Sequence, residues 1–181
     1  MTRSPFAFSL LLLAAAACAA DADPPSEGWF HWSIATSVEI DAPPARVWEV
    51  LVDLPAYPQW NPFIVEAHGT VAVGEKLSLR MALPGWDPMP IEPRLLVVEP
   101  ERELRWKGQL FVPGLFDGEH VFALIALPGG RTRLDHSEAF AGVLLPIARG
   151  LIHEATVDAF HALDAALAAR AAQADPAIVG R

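Results

Sequence analysis

The chain has 181 residues, 52% of them hydrophobic, a length that suits one domain with short extensions. Its 13 lysines and arginines against 22 aspartates and glutamates give a formal net charge of −9, and the basic residues are scattered singly. A nucleic-acid-binding surface needs clustered cations, and so does electrostatic docking on anionic lipids, so neither kind of partner is expected.

The N-terminal segment has the layout of a secretory signal. A single arginine supplies a positive charge, residues 6–13 form a short apolar run, and small residues follow as far as Ala20. The run is too short for a membrane-spanning helix, which needs about 20 apolar residues. We expect residues 1–17 to be a signal peptide and residues 18–28, which are polar and interrupted by proline, to be a tether.

The single cysteine, Cys18, directly follows a run of four alanines that ends with Ala15, Ala16 and Ala17. The arrangement resembles a bacterial lipobox, in which the cysteine is acylated and becomes the first residue of the mature protein, although Ala15 stands where leucine is usual. The alternative is an ordinary signal cleaved near Ala17, which would leave an unpaired thiol in an exported protein. The sequence therefore predicts a cell-envelope lipoprotein anchored in the membrane through acylated Cys18, or else a secreted or periplasmic protein.

One domain is expected over residues 29–172, followed by a short tail at 173–181. Apolar and polar side chains alternate over residues 30–40, which is typical of a half-buried strand. Asp41 is predicted to cap the helix that follows, with two prolines in its first turn. Two further prolines then interrupt this helix and indicate a loop or a short second helix.

Beyond Pro62 the sequence predicts an antiparallel meander, since short alternating segments follow one another with turn residues between them. The predicted strands cover residues 76–83, 91–99, 103–110, 118–127 and 132–140, and Gly129-Gly130 is predicted to form the hairpin turn before the last of them. From Pro146 to Ala172 the pattern becomes helical, with one apolar stripe that includes Leu151 and Phe160. A helix of this length is about 40 Å long, enough to cross a sheet.

Residues 37–60, together with Asn61-Pro62-Phe63, resemble the opening of polyketide-cyclase/dehydrase-like proteins of the START-like (SRPBCC) superfamily. In that opening an I-x-A-P turn ends a strand, a helix carries Val-Trp, and a Y-x-x-W-N-P segment leads into the second strand. The segments that resemble later strands are 103–108, 118–122 and 136–140. The resemblance covers about residues 34–170 and implies an α+β helix-grip fold, in which a curved antiparallel sheet wraps around a long C-terminal helix, with two short helices after the first strand.

The resemblance also implies binding of a hydrophobic small molecule or lipid in a cavity between sheet and helix, possible roles being transport or sequestration. A cyclase or dehydratase is the alternative, because the superfamily holds both carriers and enzymes. No phosphate-binding glycine loop, zinc pattern or nucleophile motif occurs, so no cofactor and no metal are expected. Glu154, Asp158 and His161 share one helix face, which we interpret as solvated.

Strand parity places a few ionisable side chains inside the predicted cavity. His136 and Glu138 share the inward face of the last strand, and His120 is expected to point inward from the strand before it. Such a group could transfer protons in an aldol-type cyclisation or a dehydration. It could equally orient a ligand, or only satisfy buried polar groups by hydrogen bonding. We expect His120 and Glu138 to share a hydrogen bond, directly or through one water.

The rest of the predicted ligand site is apolar. Its candidates are Trp60, Leu79, Met81, Leu104, Trp106, Phe122, Phe140 and Leu151, and Leu134 is predicted to be buried with them. Trp60 could instead pack in the core or act as a lid over the mouth of the cavity. Two loops, 84–88 and 112–116, carry bulky apolar residues that could gate the mouth, touch a membrane or fold inward.

Overall fold

The first strand, β1 (His31–Ile40), follows the alternation in the sequence, with Trp32, Ile34 and Ile40 buried and the residues between them exposed or half-buried. The computed structural model describes residues 28–110 and 112–173. The predicted signal peptide, Cys18, nearly all of the tether and nearly all of the C-terminal tail lie outside the described residues.

Two short helices follow β1. Helix α1 (Pro44–Val52) buries its apolar face, and α2 (Tyr57–Trp60) comes after one turn of 3-10 helix. The prediction that Asp41 caps α1 is wrong, because Pro43 occupies the N-cap position and no side chain makes a capping hydrogen bond there. Prolines fit at this end since the first amide groups of a helix have no intrahelical carbonyl to bind.

The strands form two antiparallel sheets. The remaining strands are β2 (Ile64–His68), β3 (Ser78–Met81), β4 (Met89–Ile91), β5 (Arg94–Glu99), β6 (Glu103–Gln109), β7 (Asp117–Leu127) and β8 (Arg131–Ala141). The larger sheet has the order β1-β8-β7-β6-β5 and the smaller one the order β2-β3-β4. Backbone hydrogen bonds from Leu77 N to Pro93 O and from Leu95 N to Glu75 O connect the two sheets.

The predicted strand at residues 91–99 is in fact two strands, β4 and β5, which belong to different sheets. Pro93 lies between them, and proline has no amide hydrogen to donate to a strand ladder. The sequence predicts one sheet, but the structure has two. The chain passes from the smaller to the larger sheet at Pro93, where regular strand pairing cannot continue.

A tight turn at Gly129-Gly130 joins β7 to β8, as the sequence predicts. The two glycines have φ of +82° and +73°, a region that residues with a side chain rarely adopt. The turn holds a register in which His120 lies opposite Glu138 and Phe122 opposite His136.

The last element, α3 (Leu145–Ala171), packs against β1, α1 and β8. Its second half buries Phe160, Leu163 and Leu167 in the core, whereas Leu151 in its first half is 63% exposed. The apolar stripe predicted for this helix is therefore not buried along its whole length. Together with the sheets and the short helices, α3 completes a helix-grip fold. No helix among the described residues is long and apolar enough to cross a membrane.

The sequence correctly predicts which strand side chains point into the core. Leu104, Trp106, Phe122, Leu134 and Phe140 are all buried. A shift of one residue in any of these strands would have put them on the solvent side.

A leucine-to-alanine substitution should lower the free energy of unfolding by different amounts in the two halves of α3. Leu167→Ala should lower the free energy of unfolding by about 2–5 kcal/mol, because Leu167 is fully buried and its loss leaves a cavity. Leu151→Ala should cost less than about 1 kcal/mol, since that side chain is mostly exposed. Urea unfolding followed by circular dichroism measures both, and equal losses would contradict the described packing.

Candidate functional site

A cavity of about 260 Å³ lies between the two sheets and the first half of α3. Its wall is mainly apolar and includes Phe63, Met81, Ile91, Phe116, Phe140 and Ile152. Gln109 and Thr156 add neutral polar groups. Among the described residues, Glu138 is the one ionisable side chain that lines this cavity.

The Asn61-Pro62-Phe63 segment places Phe63 in the cavity wall. Asn61 is buried, and its Oδ1 accepts hydrogen bonds from the backbone amides of Phe63 and Ile64 at 3.0 and 2.8 Å. The asparagine thus satisfies two backbone amides at the start of β2. The asparagine of the Y-x-x-W-N-P segment therefore has a structural role.

Glu138 has room at the cavity because residue 118 is a glycine. A Cβ atom at Gly118 would collide with the Oε1 atom of Glu138. Gly108 lies opposite Gly118 on β6, but a Cβ there would make only an ordinary contact, 3.8 Å from Pro93. The space that the missing side chain of Gly118 leaves is therefore occupied by the Glu138 carboxyl group.

A line of polar side chains continues from Glu138 into the core. His120 Nδ1 lies 3.5 Å from Glu138 Oε2, an ion-pair distance that is long for a hydrogen bond. His120 Nε2 is 2.6 Å from His136 Nε2, and His136 Nδ1 is 2.6 Å from Asp164 Oδ1. Thr36 Oγ1 donates to Asp164 Oδ2 at 2.5 Å. We call Glu138, His120, His136 and Asp164 the polar path.

Aromatic rings enclose the two histidines of the polar path. His136 stacks on Phe160 with ring centroids 4.0 Å apart and on Phe122 at 4.5 Å, and His120 stacks on Trp106 at 4.9 Å. Burial lowers the pKa of His136 to about 4, although its hydrogen bond with Asp164 acts in the opposite direction. His136 is therefore neutral at pH 7.

The geometry of the two imidazole rings does not suit a metal ion. Two nitrogens bound to one tetrahedral zinc, each at about 2.0–2.1 Å from it, lie roughly 3.3 Å apart, whereas these two Nε2 atoms are 2.6 Å apart. Over residues 28–110 and 112–173 no group of three or more potential ligands is arranged to hold a metal. The acidic face at Glu154, Asp158 and His161 is exposed.

The structure divides the predicted ligand contacts into two sets. Met81, Glu138, Phe140 and Leu151 line the cavity. The predicted contacts that lie instead in the core behind the cavity wall are Leu79, Leu104, Trp106, His120, Phe122 and His136. These six side chains do not line the cavity, because Phe160 of α3 fills the interior over both histidines.

Trp60 also lies away from this cavity. Its ring packs edge-on against Tyr57 with centroids 5.1 Å apart, and it borders a separate, polar depression together with Arg46 and Arg170. Trp60 therefore does not line the cavity, and its ring contact is with Tyr57 in the same short helix.

Two members of this buried network, Asp164 and Thr36, are missing from the site predicted by sequence. Asp164 stands four residues after Phe160 and three before Leu167, so helical spacing puts it on the same buried stripe of α3. This spacing in the sequence could have identified Asp164 as a buried carboxyl group. Thr36 belongs to the inward face of β1, where its hydroxyl reaches Asp164.

Comparison with known proteins gives the family. Residues 31–174 match the family model described as polyketide cyclase / dehydrase and lipid transport. The chain belongs to this family. No curated protein matches the sequence significantly.

Solved structures share the fold at low sequence identity. The Zhui aromatase/cyclase from Streptomyces sp. R1128 is 21% identical, with a TM-score of 0.66 over 81% of this chain and 98% of that one. A START superfamily protein from Mycobacterium smegmatis is 20% identical, with a TM-score of 0.62 over 77% of this chain and 96% of that one. These similarities show that the polyketide cyclase/dehydrase chain described here has the START-like fold.

The buried state of His136 predicts a pH-dependent stability. The folded protein holds this pKa at about 4, below the ordinary 6.5, so between these values the unfolded chain binds more protons. The free energy of unfolding should therefore fall, by up to about 3 kcal/mol, as the pH is lowered from about 6.5 to 4. Urea unfolding at a series of pH values measures this decrease.

Two variants test whether His136 causes the predicted pH dependence of the free energy of unfolding. In His136→Gln the additional loss of stability between pH 6.5 and 4 should disappear, while His161→Gln, at an exposed position on α3, should keep the wild-type slope. A His136→Gln protein with the same slope as wild type would show that other groups cause the dependence.

Proposed function

We propose that this protein binds a hydrophobic small molecule or lipid and carries or holds it at the cell envelope. The observation that carries the proposal is the cavity, which combines about 260 Å³ of space with an apolar wall and a single carboxyl group. Its volume is close to the lower end of ligand-binding pockets, roughly 300–1,000 Å³. The family description, which includes lipid transport, supports the same class of ligand.

The cavity wall favours binding over catalysis. An aldol cyclisation or a dehydration needs one group to take a proton from carbon and another to protonate an oxygen. Among the described residues only Glu138 offers an ionisable side chain to the cavity, and His120 and His136 are buried behind it. A bound molecule would thus meet one proton-exchanging group rather than two.

A cyclase or dehydratase is the second candidate, and the polar path is the observation that favours it. A chain of ionisable groups behind Glu138 could deliver or remove protons during a reaction. Glu138→Ala separates the two functions: binding should weaken if Glu138 orients the ligand of a carrier, whereas an enzyme should keep binding and lose turnover.

Exposed apolar side chains border the mouth of the cavity. Trp86, Leu144 and Leu151 line the cavity and are also 45%, 37% and 63% exposed. Val143 and Ile147, beside them in sequence, are 62% and 69% exposed. A rim of this kind supports transfer of an apolar ligand from a membrane without passage through water.

The chain enters the domain close to this rim. Gly142 N donates to Phe30 O, and Leu144 N donates to Leu115 O, so the start of β1 adjoins the loop before α3. The tether between Cys18 and Gly28 would span at most about 35 Å when fully extended. An acylated Cys18 would therefore keep the mouth near the membrane surface.

A cavity-filling substitution tests ligand binding. Ala148→Trp places a large ring in the cavity and should weaken binding of the apolar fluorescent probe N-phenyl-1-naphthylamine at least tenfold. Ala165→Trp, at an exposed position of the same helix, should bind the probe as wild type does. Equal affinities would show that the probe binds elsewhere and would count against the cavity as the ligand site.

The natural ligand can be found directly. Native mass spectrometry of protein purified from its own membranes should show a mass above that of the polypeptide and its modifications. The same preparation of Ala148→Trp should lack that additional mass, and Ala165→Trp should retain it.

Anchoring through Cys18 has its own test. Growth with a clickable fatty acid should label the wild-type protein, and Cys18→Ala should abolish the label because the acceptor thiol is missing. The N-terminus determined by mass spectrometry should begin at Cys18. Label that persists in the variant, or a mature chain that begins elsewhere, would leave the secreted or periplasmic alternative.

A further inference from the structure

Trp29, Phe30 and Val112 add to the exposed apolar side chains at the mouth of the cavity. Trp29 is 83% exposed, and the other two are more than half exposed. Phe30 and the loop 112–116 both accept backbone hydrogen bonds from residues 142–144, so these segments lie side by side. The apolar rim, as we call it, consists of these three residues and five others: Trp86, Val143, Leu144, Ile147 and Leu151.

Gly142 makes this close arrangement possible. Its φ of +147° lies in the region that favours glycine, and a Cβ atom there would collide with the backbone carbonyl group of Leu115. The apolar rim is therefore built by fixed backbone contacts between loops and is more than a set of scattered surface side chains.

The beginning of α3 points an apolar stripe of the rim away from the core. Leu144, Ile147 and Leu151 stand at i, i+3 and i+7, which at 3.6 residues per turn puts them within about 60° of one another. All three are exposed. An apolar stripe on a helix of a globular domain normally faces the core, so this stripe suits a partner outside the domain.

The same side of α3 becomes acidic beyond the stripe. Glu154 and Asp158 follow Leu151 at i+3 and i+7, so they continue the line of Ile147 and Leu151 along the helix, and both are exposed. A helix that lies flat on a membrane keeps an apolar face against the lipid along its length. Only the beginning of α3 is therefore suited to contact with lipid.

We propose that the apolar rim inserts into the surface of a lipid bilayer, with the beginning of α3 in the lipid interface and its acidic turns in water. The mouth of the cavity then faces the bilayer. Trp29 and Trp86 fit this position, because tryptophan combines an apolar ring with an N–H donor and favours the interface between membrane and water. The protein surface itself makes the contact, which does not require an acyl chain.

Two features favour a bilayer over a second protein as the partner. The rim surrounds the mouth, so a protein bound there would close the cavity, whereas a bilayer can exchange an apolar ligand with it. The predicted tether also joins the domain at this rim, because Phe30 is part of it. The inference rests on the proposed function for its biological role, while the insertion itself is measured without ligand.

Charge predicts which bilayer the rim prefers. The sequence has a formal net charge of −9, and Glu154 and Asp158 stand on the side of α3 just above the inserted turns. An anionic surface repels such a domain, whereas a zwitterionic surface does not. We expect the burial of apolar area to drive insertion, so salt should have little effect on binding to zwitterionic vesicles.

Vesicle flotation tests insertion on the chain that begins at Ala19. This chain keeps all described residues and lacks both the predicted signal peptide and Cys18. It should bind phosphatidylcholine vesicles equally at low and high salt, and added phosphatidylglycerol should not strengthen binding. Failure to bind, or binding that needs phosphatidylglycerol and is lost at high salt, would overturn the proposal.

Two double variants of this chain locate the contact. Val143→Asp/Ile147→Asp, at rim positions outside the cavity wall, should weaken vesicle binding at least tenfold. Ala162→Asp/Ala165→Asp adds the same charge at exposed positions in the second half of α3 and should bind as the parent chain does. Equal vesicle binding by the two variants would overturn the proposal. Both should bind N-phenyl-1-naphthylamine in solution with the parent affinity, since neither changes the cavity wall.

A fluorescent label gives a second measurement that adds no charge to the rim. The chain from Ala19 has no cysteine, so Ile147→Cys and Ala165→Cys can each carry a single dye. Brominated phosphatidylcholine should quench the dye at position 147 and leave the dye at position 165 unchanged. A dye at position 147 that is not quenched would overturn the proposal even if the charged variant fails to fold.

A second copy of the chain is the competing partner. Sedimentation equilibrium without vesicles should give a monomer, and a dimer that Val143→Asp/Ile147→Asp abolishes would assign the rim to self-association and overturn the proposal. Failure of the proposed function is a separate outcome. If vesicles bind and N-phenyl-1-naphthylamine does not, membrane insertion is supported and ligand binding fails, and the opposite pair of results overturns insertion alone.

Discussion

The register between β7 and β8 positions the three ionisable side chains that these strands bring to the site, His120, His136 and Glu138. It sets His120 opposite Glu138 and Phe122 opposite His136, and all four side chains lie on the concave face. The pairing is held by the glycine turn at one end and by eleven aligned residue pairs along its length. Since strand side chains alternate between faces, a shift by one residue would turn this whole set toward solvent.

Helix α3 then divides that concave face into two regions. Its second half carries Phe160, which stacks on His136 and fills the interior, whereas its first half lies over open space lined by Ile152 and Thr156. Glu138 stands at the boundary between the two regions. The same inward-facing strand therefore supplies a core residue at position 136 and a cavity residue at position 138, only two positions apart.

The separation of the concave face into a core region and a cavity region explains how much of the site could be predicted from the sequence. Alternation and the turn at Gly129 were enough to put His120, His136 and Glu138 on one face, because strand parity is a local property. Whether a side chain on that face meets ligand or core depends on the bulk that α3 brings over it, which is a long-range property. Asp164 shows the same limit: an acid within an apolar helical stripe signals burial, but its partner lies 28 residues away on β8.

The polar path is also unusual as a way to stabilise a core. Buried ionisable groups lose hydration, and well-packed apolar side chains of similar volume often stabilise a protein as much or more. Three aromatic rings already surround the histidines, so apolar side chains could complete this packing. Hydrogen bonding among the buried groups limits the cost but does not account for their presence. Their common feature is that they lead, one contact after another, to the single carboxyl group in the cavity wall. An apolar replacement could not reproduce this continuous polar connection between the cavity wall and the core.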